Sequence, residues 1–507
     1  MSRYRPSRTS VSGDSTLDGD VTVDGDLDVT KNLEGVRRYL LDDGGDGLGW
    51  GGEVGETWDI YVNSSAGSDL NDGLSAAKPL KTLKKVLERI PTGIELYDSG
   101  GVLQAVSVHT TAGDYTLPLN FQAHNTAFYG ATSSVDSGTW VTVSSSNADG
   151  SIIDATLVGT YAADELRGSL LEIGDNSFLP FRKAWIYANG ATSGPTTRLS
   201  IAHSQGPANL PSTLTLTIKS LDTRFIIPPD AVNVNTSDPS IHYSSELTFW
   251  DINFDADPAA GPGTTLYNKC VQKVVYNGCK FGAPGSILKA LHTNFGRISV
   301  TTCYSQMTTA LLGGVQGSLY VKSSVLDGKN QLIKALSAGA LIVQGEVVFR
   351  EANGLQVNGT TTYDTTPAIF RFLEVTGTVT CPSAISVNTL ASDYYGAVVD
   401  LPEMYGAITG QYAVEARDGA RVYYNPASSL SSSLGINMVS ADGGISNVST
   451  LSNLTFISGA SPPFTGYEVQ YSATTPGDWA APAPTSSQGA IDRLAAAVEG
   501  LLGGAIP

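Results

Sequence analysis

Short strand-like segments recur at nearly constant spacing in the second half of this chain. Between residues 247 and 349, runs rich in valine, isoleucine and aromatic residues alternate with turn residues. If one interior residue of each run is taken as equivalent, the steps are 27, 24, 22 and 22 residues, at Ile252, Cys279, Cys303, Val325 and Val347. One turn of a parallel β-helix has about this length, within the roughly 20–50 residues of solenoid repeats. A series of β-sandwich strands could imitate part of this pattern, but the spacing favours an all-β solenoid.

Residues 61–91 predict a strand, a Gly/Asx loop and a short amphipathic helix over residues 79–90. Pro79 lies near the helix start, and the apolar face is formed by Leu80, Leu83, Val86, Leu87 and Ile90. Such a helix can cover the open end of a strand array, where backbone groups would otherwise lack partners.

The spacing of Tyr61, Asn63, Gly67, Asp69, Asp72-Gly73-Leu-Ser75, Pro79-Leu80 and Thr82-Leu83 closely resembles the first segment of the pectin-lyase-like superfamily, especially phage tailspikes. This resemblance implies a right-handed parallel β-helix, which we expect over residues 59–430. Residues 131–245 are less regular, and we expect long loops or an insertion there. Residues 37–58 are Gly-rich and predict a linker, and residues 431–484 predict a Ser/Pro-rich connection after the helix.

Residues 17–36 carry a six-residue repeat in which Leu17, Val23 and Val29 share one phase. Such a thin apolar stripe cannot be buried by one chain, so we expect a trimerisation shaft. The segment resembles the Gly-Asp hexad repeats of phage tail-fibre shafts. Residues 1–16 contain Arg3, Arg5 and Arg8 and predict either a frayed terminus or an arm that docks on an acidic virion partner.

Residues 485–507 predict a C-terminal trimerising helix. Its apolar steps of 3, 4 and 3 residues, at Ile491, Leu494, Val498 and Leu501, are typical of a coiled-coil seam. A helix of this length is marginal alone, which favours three copies packed together. The segment resembles the C-terminal ends of phage tail and capsid-attached proteins.

Composition excludes several classes of function. The formal net charge of −18 argues against nucleic-acid binding. The polar start does not resemble a signal peptide, and no apolar run approaches the roughly 20 residues of a membrane helix. Four cysteines without CxxC spacing predict free thiols in a protein made in a host cytoplasm, with neither a metal nor a cofactor. We therefore expect a virion component with no membrane insertion.

Enzymatic residues are harder to single out. A glycoside hydrolase needs two carboxyl groups about 5–10 Å apart, and the candidates are Asp251, Asp255, Asp257, Asp327 and Glu346. A lyase would instead need a basic residue such as Lys280, Lys322 or Arg350. No pair stands out from the ordinary acids of strand faces and turns, so the sequence leans against an enzyme.

Aromatic residues near strand positions offer a second type of site. Trp250, Tyr276 and Tyr320 are candidates for glycan binding, although packing in the core explains most such residues. The favoured function is a trimeric tail fibre or tailspike that contacts other virion proteins, of the tail, baseplate or capsid, and host surface polysaccharide. The alternatives are a polysaccharide depolymerase tailspike and a capsid-attached head fibre or decoration protein, because one fold serves all three.

Overall fold

A computed structural model describes the chain in segments. The described residues are 38–40, 58–90, 95–97, 106–121, 123, 126–146, 150–174, 183–202, 214–229, 232–234, 246–259, 265–268, 273–282, 290–293, 297–306, 312–315, 318–327, 333–336, 340–350, 355–357, 360–375, 379–382, 398–401, 403–408, 414–417, 421–423, 429–432, 437–439, 444–446 and 454–456. The predicted arm (1–16), shaft (17–36) and C-terminal helix (485–507) lie outside them.

The elements are almost all β-strands. The first are β1 (Arg38–Leu40), β2 (Trp58–Val62), α1 (Leu83–Arg89), β3 (Glu95–Tyr97), β4 (Val106–Thr110), β5 (Gly113–Thr116), β6 (Asn120–Phe121) and β7 (Thr126–Tyr129). An inserted group follows: β8 (Thr132–Ser146), β9 (Gly150–Leu157), β10 (Leu170–Ile173), β11 (Lys183–Asn189), β12 (Thr197–Ala202) and β13 (Thr215–Leu221).

The remaining strands continue the first group. They are β14 (Thr223–Ile227), β15 (Val232–Val234), β16 (Glu246–Trp250), β17 (Asn253–Ala256), β18 (Thr265–Asn268), β19 (Lys273–Asn277), β20 (Lys280–Phe281), β21 (Ala290–Thr293), β22 (Arg297–Thr301), β23 (Tyr304–Ser305), β24 (Leu312–Val315), β25 (Ser318–Lys322), β26 (Val325–Asp327), β27 (Ile333–Leu336), β28 (Ala340–Arg350), β29 (Leu355–Val357), β30 (Thr360–Val375), β31 (Val379–Pro382), β32 (Val398–Asp400), β33 (Glu403–Ile408), β34 (Val414–Arg417), β35 (Arg421–Tyr423), β36 (Ser429–Ser432), β37 (Asn437–Val439), β38 (Gly444–Ser446) and β39 (Leu454–Phe456).

Strands outside the inserted group pair in parallel from one turn to the next and form a parallel β-helix. A sheet of 17 strands bends at a corner into two faces. The first sheet contains β2, β4, β7, β16, β19, β22 and β25; the second contains β5, β14, β17, β20, β23, β26, β33 and β36; β28 and β30 run through the corner into both. A third sheet of 11 strands runs from β6 to β39, and β32, β35 and β38 form a smaller one. The predicted all-β solenoid is confirmed, and its third sheet extends past residue 430 into the segment expected to be a connection.

The helix α1 is shorter than the predicted span of 79–90. The Thr82 hydroxyl caps it by accepting a hydrogen bond from the amide of Lys85 at 3.2 Å. Leu80, before the cap, is extended and exchanges backbone hydrogen bonds with β2: its amide donates to Tyr61 and its carbonyl accepts from Asn63. The helix therefore starts only after this bridge, and it buries Leu83 and Val86.

The interior of the β-helix is a stack of aromatic and branched side chains. Phe128, Phe249 and Tyr276 occupy the same position in successive turns, with ring centroids 5.5 and 5.2 Å apart. Phe254 and Phe281 continue the stack beneath the second sheet at 5.6 Å. Parallel strands place equivalent residues about 4.8 Å apart, so like side chains contact each other directly.

The corner between the first and second sheets is built from residues in the left-handed conformation. Asp251, Gly278, Thr302, Ser323 and Gly345 all have positive φ between 48° and 65°. Two of these are glycines, which adopt such a φ without steric cost, whereas Thr302 is a β-branched residue in a strained region.

In one turn of the β-helix, the buried residue that follows the corner is not the one that the sequence predicted. Tyr304 pairs with Val325, so Ser324 and not Val325 is equivalent to Cys279 and Cys303. The thiol of each cysteine and the hydroxyl of Ser324 lie within hydrogen-bond distance of two backbone carbonyls. One carbonyl is two residues earlier in the chain, and the other is in the preceding turn of the β-helix. Hydrophobicity pointed to the valine, but hydrogen bonding allows the small serine to take the buried position.

The inserted group is a separate antiparallel barrel. Its six strands close in the order β10-β11-β12-β9-β8-β13. Its core contains Trp140, Ile153, Leu171, Ile186, Leu199 and Ile218, all essentially buried. The irregular region of the sequence is thus an independent hydrophobic core placed between β7 and β14.

Candidate functional site

The outward face of the first sheet carries a column of stacked rings, formed by Tyr61, His109, Tyr129 and Trp250. The parallel register places each residue directly beside the next. Successive ring centroids lie 5.2, 5.3 and 6.3 Å apart, and the ring planes differ by 23°, 15° and 12°. We call this set the aromatic column.

The aromatic column is accessible from outside. Tyr129 is 37% exposed, and the other three rings are half-buried. Because the rings lie face to face, the column presents its ring edges and phenolic groups outward. The imidazole of His109 also lies 2.8 Å from the Asp59 carboxylate. Aromatic groups with polar tips suit ligands that combine apolar faces with hydroxyl groups.

A second row of outward side chains lies at the start of β16, β19 and β22, and of these strands only β16 also carries a residue of the aromatic column. Glu246, Lys273 and Arg297 are in register on β16, β19 and β22. Lys273 lies 2.6 Å from Glu246, and the Arg297 guanidinium lies 5.0 Å from the centre of the Tyr320 ring. We call these three residues the charged column.

Short side chains occupy the middle outward position of β16, β19 and β22. Thr248, Val275 and Ser299 point outward in the middle of their strands, yet each is at least nine-tenths buried. On β16, Thr248 lies between Glu246 and Trp250, whereas Asn277 and Thr301 take the place of Trp250 on β19 and β22.

The barrel docks on the outward face of the second sheet through β11. Alternate residues of this strand point in opposite directions, so Ala184 and Ile186 enter the barrel core while Trp185 and Tyr187 face the β-helix. The Trp185 indole donates to the carbonyl of Thr302 at 2.6 Å, and its ring lies 5.3 Å from that of Tyr304.

Ion pairs surround this apolar contact. Arg167 of the barrel pairs with Asp327, which also accepts the Tyr304 hydroxyl. Lys183 pairs with Asp251, and Arg350 pairs with Asp164 of the barrel at 2.7 Å. The barrel is therefore held to the β-helix by charge pairs as well as by apolar contact.

Most of the predicted catalytic carboxylates lie beneath or beside the barrel. Asp327 and Glu346 are each 1% exposed, and Glu346 pairs with Arg371 at 2.6 Å. Asp255 is also buried, 3.7 Å from the Arg224 guanidinium, whereas Asp257 caps the turn at Ala259 from a half-exposed position. Each buried candidate thus has a cationic neighbour.

Burial shifts the protonation of several of these groups. Burial raises the pKa of Asp251 although Lys183 opposes the shift, and it raises the pKa of Glu346 although Arg371 does the same. Burial lowers the pKa of Lys280, while Asp327 and Asp255 oppose that shift. A general acid with a raised pKa is chemically useful only where substrate can reach it, and here the barrel covers Glu346.

The three predicted glycan-binding residues fall in different environments. Trp250 ends the aromatic column, and the half-buried Tyr320 lies under Arg297 with its hydroxyl donating to Gln344. Tyr276 is fully buried in the interior stack, where an external glycan cannot reach it. Of the predicted lyase bases, Lys280 and Arg350 are at the barrel interface, and Lys322 lies on the first sheet.

Sequence reasoning missed Tyr61, His109 and Tyr129 as one set. Their signal is the shared register of β2, β4 and β7, which loops of unequal length hide in the sequence. Among the described residues, no group of histidine, cysteine and acidic side chains could hold a metal ion. No helix in that part of the chain is long and apolar enough to cross a membrane.

Comparison with solved structures finds a phage tailspike among the similar chains. The chain is similar to the Gp54 tailspike of Acinetobacter baumannii bacteriophage AP22, solved in complex with A. baumannii capsular saccharide. The match covers 69% of this chain and 74% of that chain, with 8% sequence identity and a TM-score of 0.17. No protein-family model and no curated protein matches the chain.

Proposed function

We propose that this chain is a structural virion protein of the phage tail fibre or tailspike type, which attaches to the host surface by binding polysaccharide. The aromatic column on a rigid β-helix is the observation that carries the proposal. Stacked parallel strands fix Tyr61, His109, Tyr129 and Trp250 in one row, so binding would require little ordering of the protein.

The test uses the full chain on immobilised capsular polysaccharides and lipopolysaccharides purified from a panel of bacteria. We expect binding to a subset, and Tyr129→Ala combined with Trp250→Ala should weaken it at least tenfold. Leu70→Ala is the matched control, because that side chain is 96% exposed and lies outside the column. Failure to bind any member of the panel would contradict the proposal.

The trimer is part of the proposal and rests on the apolar stripes of residues 17–36 and 485–507. Native mass spectrometry of the full chain should give three times the 53.0 kDa chain mass. A stable monomer with both stripes intact would contradict it. Deleting residues 1–16, with Arg3, Arg5 and Arg8, should leave the trimer folded and impair its incorporation into particles.

The depolymerase alternative receives less support, because Asp327 and Glu346 are buried and paired with arginines. Incubation with the same polysaccharides should release no oligosaccharide. Release that disappears in Asp327→Asn or Asp255→Asn would establish the alternative. Imaging the subunit in intact particles separates a tail position from a capsid-attached one.

A further inference from the structure

The later strands of the first sheet, from β19 to β28, carry a local charge opposite to that of the whole chain. The chain carries a formal net charge of −18. On β19, β22, β25 and the first-sheet part of β28, however, the described outward positions include no carboxylate. They include the cations Lys273, Arg297 and Lys322.

Two of these cations are available to a ligand. Lys273 is neutralised by Glu246, but neither Arg297 nor Lys322 has an acidic partner among the residues that the structure describes. Arg297 is exposed, and Lys322 is half-buried. Their neighbours above and below in the sheet are uncharged, apart from Lys273 next to Arg297.

The spacing of the two cations suits a chain of sugars. Arg297 begins β22, and Lys322 ends the adjacent β25, in register with Thr301. Four residues along a strand and one step across the sheet separate them by about 14 Å. The Tyr320 ring lies between them, and its contact with Arg297 limits the orientations of the guanidinium.

A planar guanidinium binds carboxylate and phosphate oxygens with two parallel hydrogen bonds, while an ammonium acts as a point charge. We propose that the surface between Arg297 and Lys322 binds the anionic groups of an acidic polysaccharide whose neighbouring sugars contact the aromatic column. This inference rests on the proposed function and specifies its ligand class.

The experiment measures affinities of the full chain for the polysaccharides that it binds in the panel, each intact and after chemical reduction of its uronate carboxyl groups to alcohols. Polymers whose charge comes from phosphate groups are dephosphorylated instead, which separates the two sources of anionic charge. A single-stranded DNA oligonucleotide is included, because it is anionic but not a polysaccharide.

The test variant is Arg297→Gln with Lys322→Gln. Its control is Lys81→Gln with Lys84→Gln, which removes the same charge from exposed positions beside and on α1. We expect every bound polymer to be acidic, and to lose about tenfold in affinity both on neutralisation and in the test variant. The control variant should bind like the wild type, and added salt should weaken the wild type more than the test variant.

Three outcomes would overturn the inference. They are preference for neutral polymers, unchanged affinity in the test variant, and DNA binding as tight as that of the polysaccharides. If no polysaccharide binds at all, the proposed function fails first. If binding depends on Tyr129 and Trp250 but not on Arg297 and Lys322, only the ligand class is wrong.

Discussion

Trp250 stacks on Tyr129, with ring centroids 6.3 Å apart and planes 12° apart, although the whole inserted barrel lies between them in the chain. The barrel leaves this register intact because its two ends are neighbours. Thr132 at the start of β8 pairs with Leu221 at the end of β13, and the Asp222 amide donates to the Ala131 carbonyl at 2.9 Å. The column is therefore continuous across the insertion.

Trp185 should anchor the barrel to the β-helix. Trp185→Phe keeps a ring next to Tyr304 but removes the indole N–H. The buried carbonyl of Thr302 then loses the hydrogen bond that it accepts from this group. We expect a loss of about 1–3 kcal/mol, measured as a lower thermal midpoint with earlier proteolysis between β7 and β14. Wild-type values for both measurements would show that the docking does not depend on this hydrogen bond.

Gly278 should tolerate no side chain at the corner. A Cβ there would lie 2.2 Å from the Asp251 carboxylate, and φ is +65°. We expect Gly278→Ala to cost about 1–2 kcal/mol for the left-handed backbone and about 1–3 kcal/mol more for overlap. Gly194→Ala is the control, because φ is +61° but nothing lies within 4 Å. Equal melting temperatures of the two variants would contradict the overlap.

Asp251 should make the protein less stable as pH rises. Its folded pKa is raised above the ordinary 3.8, mainly by burial. The native state then binds the proton more tightly than the unfolded chain, so stability falls as pH rises from the ordinary value through the folded pKa. Asp251→Asn should remove this loss, so its stability relative to the wild type should increase with pH across that window.

Asp69 provides the opposite sign as a control. Slight burial acts to raise its pKa, but hydrogen bonds from Thr82 and from the Lys81 amide produce a net lowering. Its contribution is lost as pH falls, so Asp69→Asn should lose stability relative to the wild type as pH rises. Denaturant unfolding of the wild type and both variants from about pH 3 to about pH 7, which spans the usual titration of carboxyl groups, gives the unfolding free energy of each variant relative to the wild type. The slope of that difference against pH is compared between the two variants. Slopes of the same sign would contradict the assignment.

Ser324 should be replaceable by cysteine but not by alanine. Its hydroxyl accepts a hydrogen bond from the Cys303 amide at 3.1 Å and donates to the backbone carbonyls of Lys322 and Val300. Ser324→Ala leaves that buried amide unpaired, at about 1–3 kcal/mol. Ser324→Cys reproduces the residue at positions 279 and 303 and should cost less. Equal unfolding free energies for the two variants would show that the hydrogen bonds contribute little.

The β-helix itself could be predicted from the sequence. Short β-branched runs with turn residues at steps of 22–27 residues are local features, and so is the apolar spacing that predicts a helix after Pro79. They depend on the backbone preferences of the residues and on the alternation of apolar and polar side chains. Both can be read from a segment as short as one turn of the β-helix. The one-residue error at Val325 shows the limit, because a buried serine with three hydrogen-bonding partners breaks the hydrophobic pattern.

Only the tertiary structure decided which side chains meet. The aromatic column depends on register between turns, and that register is set by loop lengths, by left-handed corner residues such as Gly278, and by the pairing of the barrel's two ends. The burial of Asp327 and Glu346 depends on a domain that docks from elsewhere in the chain. Sequence determined that this chain forms turns of parallel strands, and packing between distant segments determined which of its surfaces stay open to a ligand.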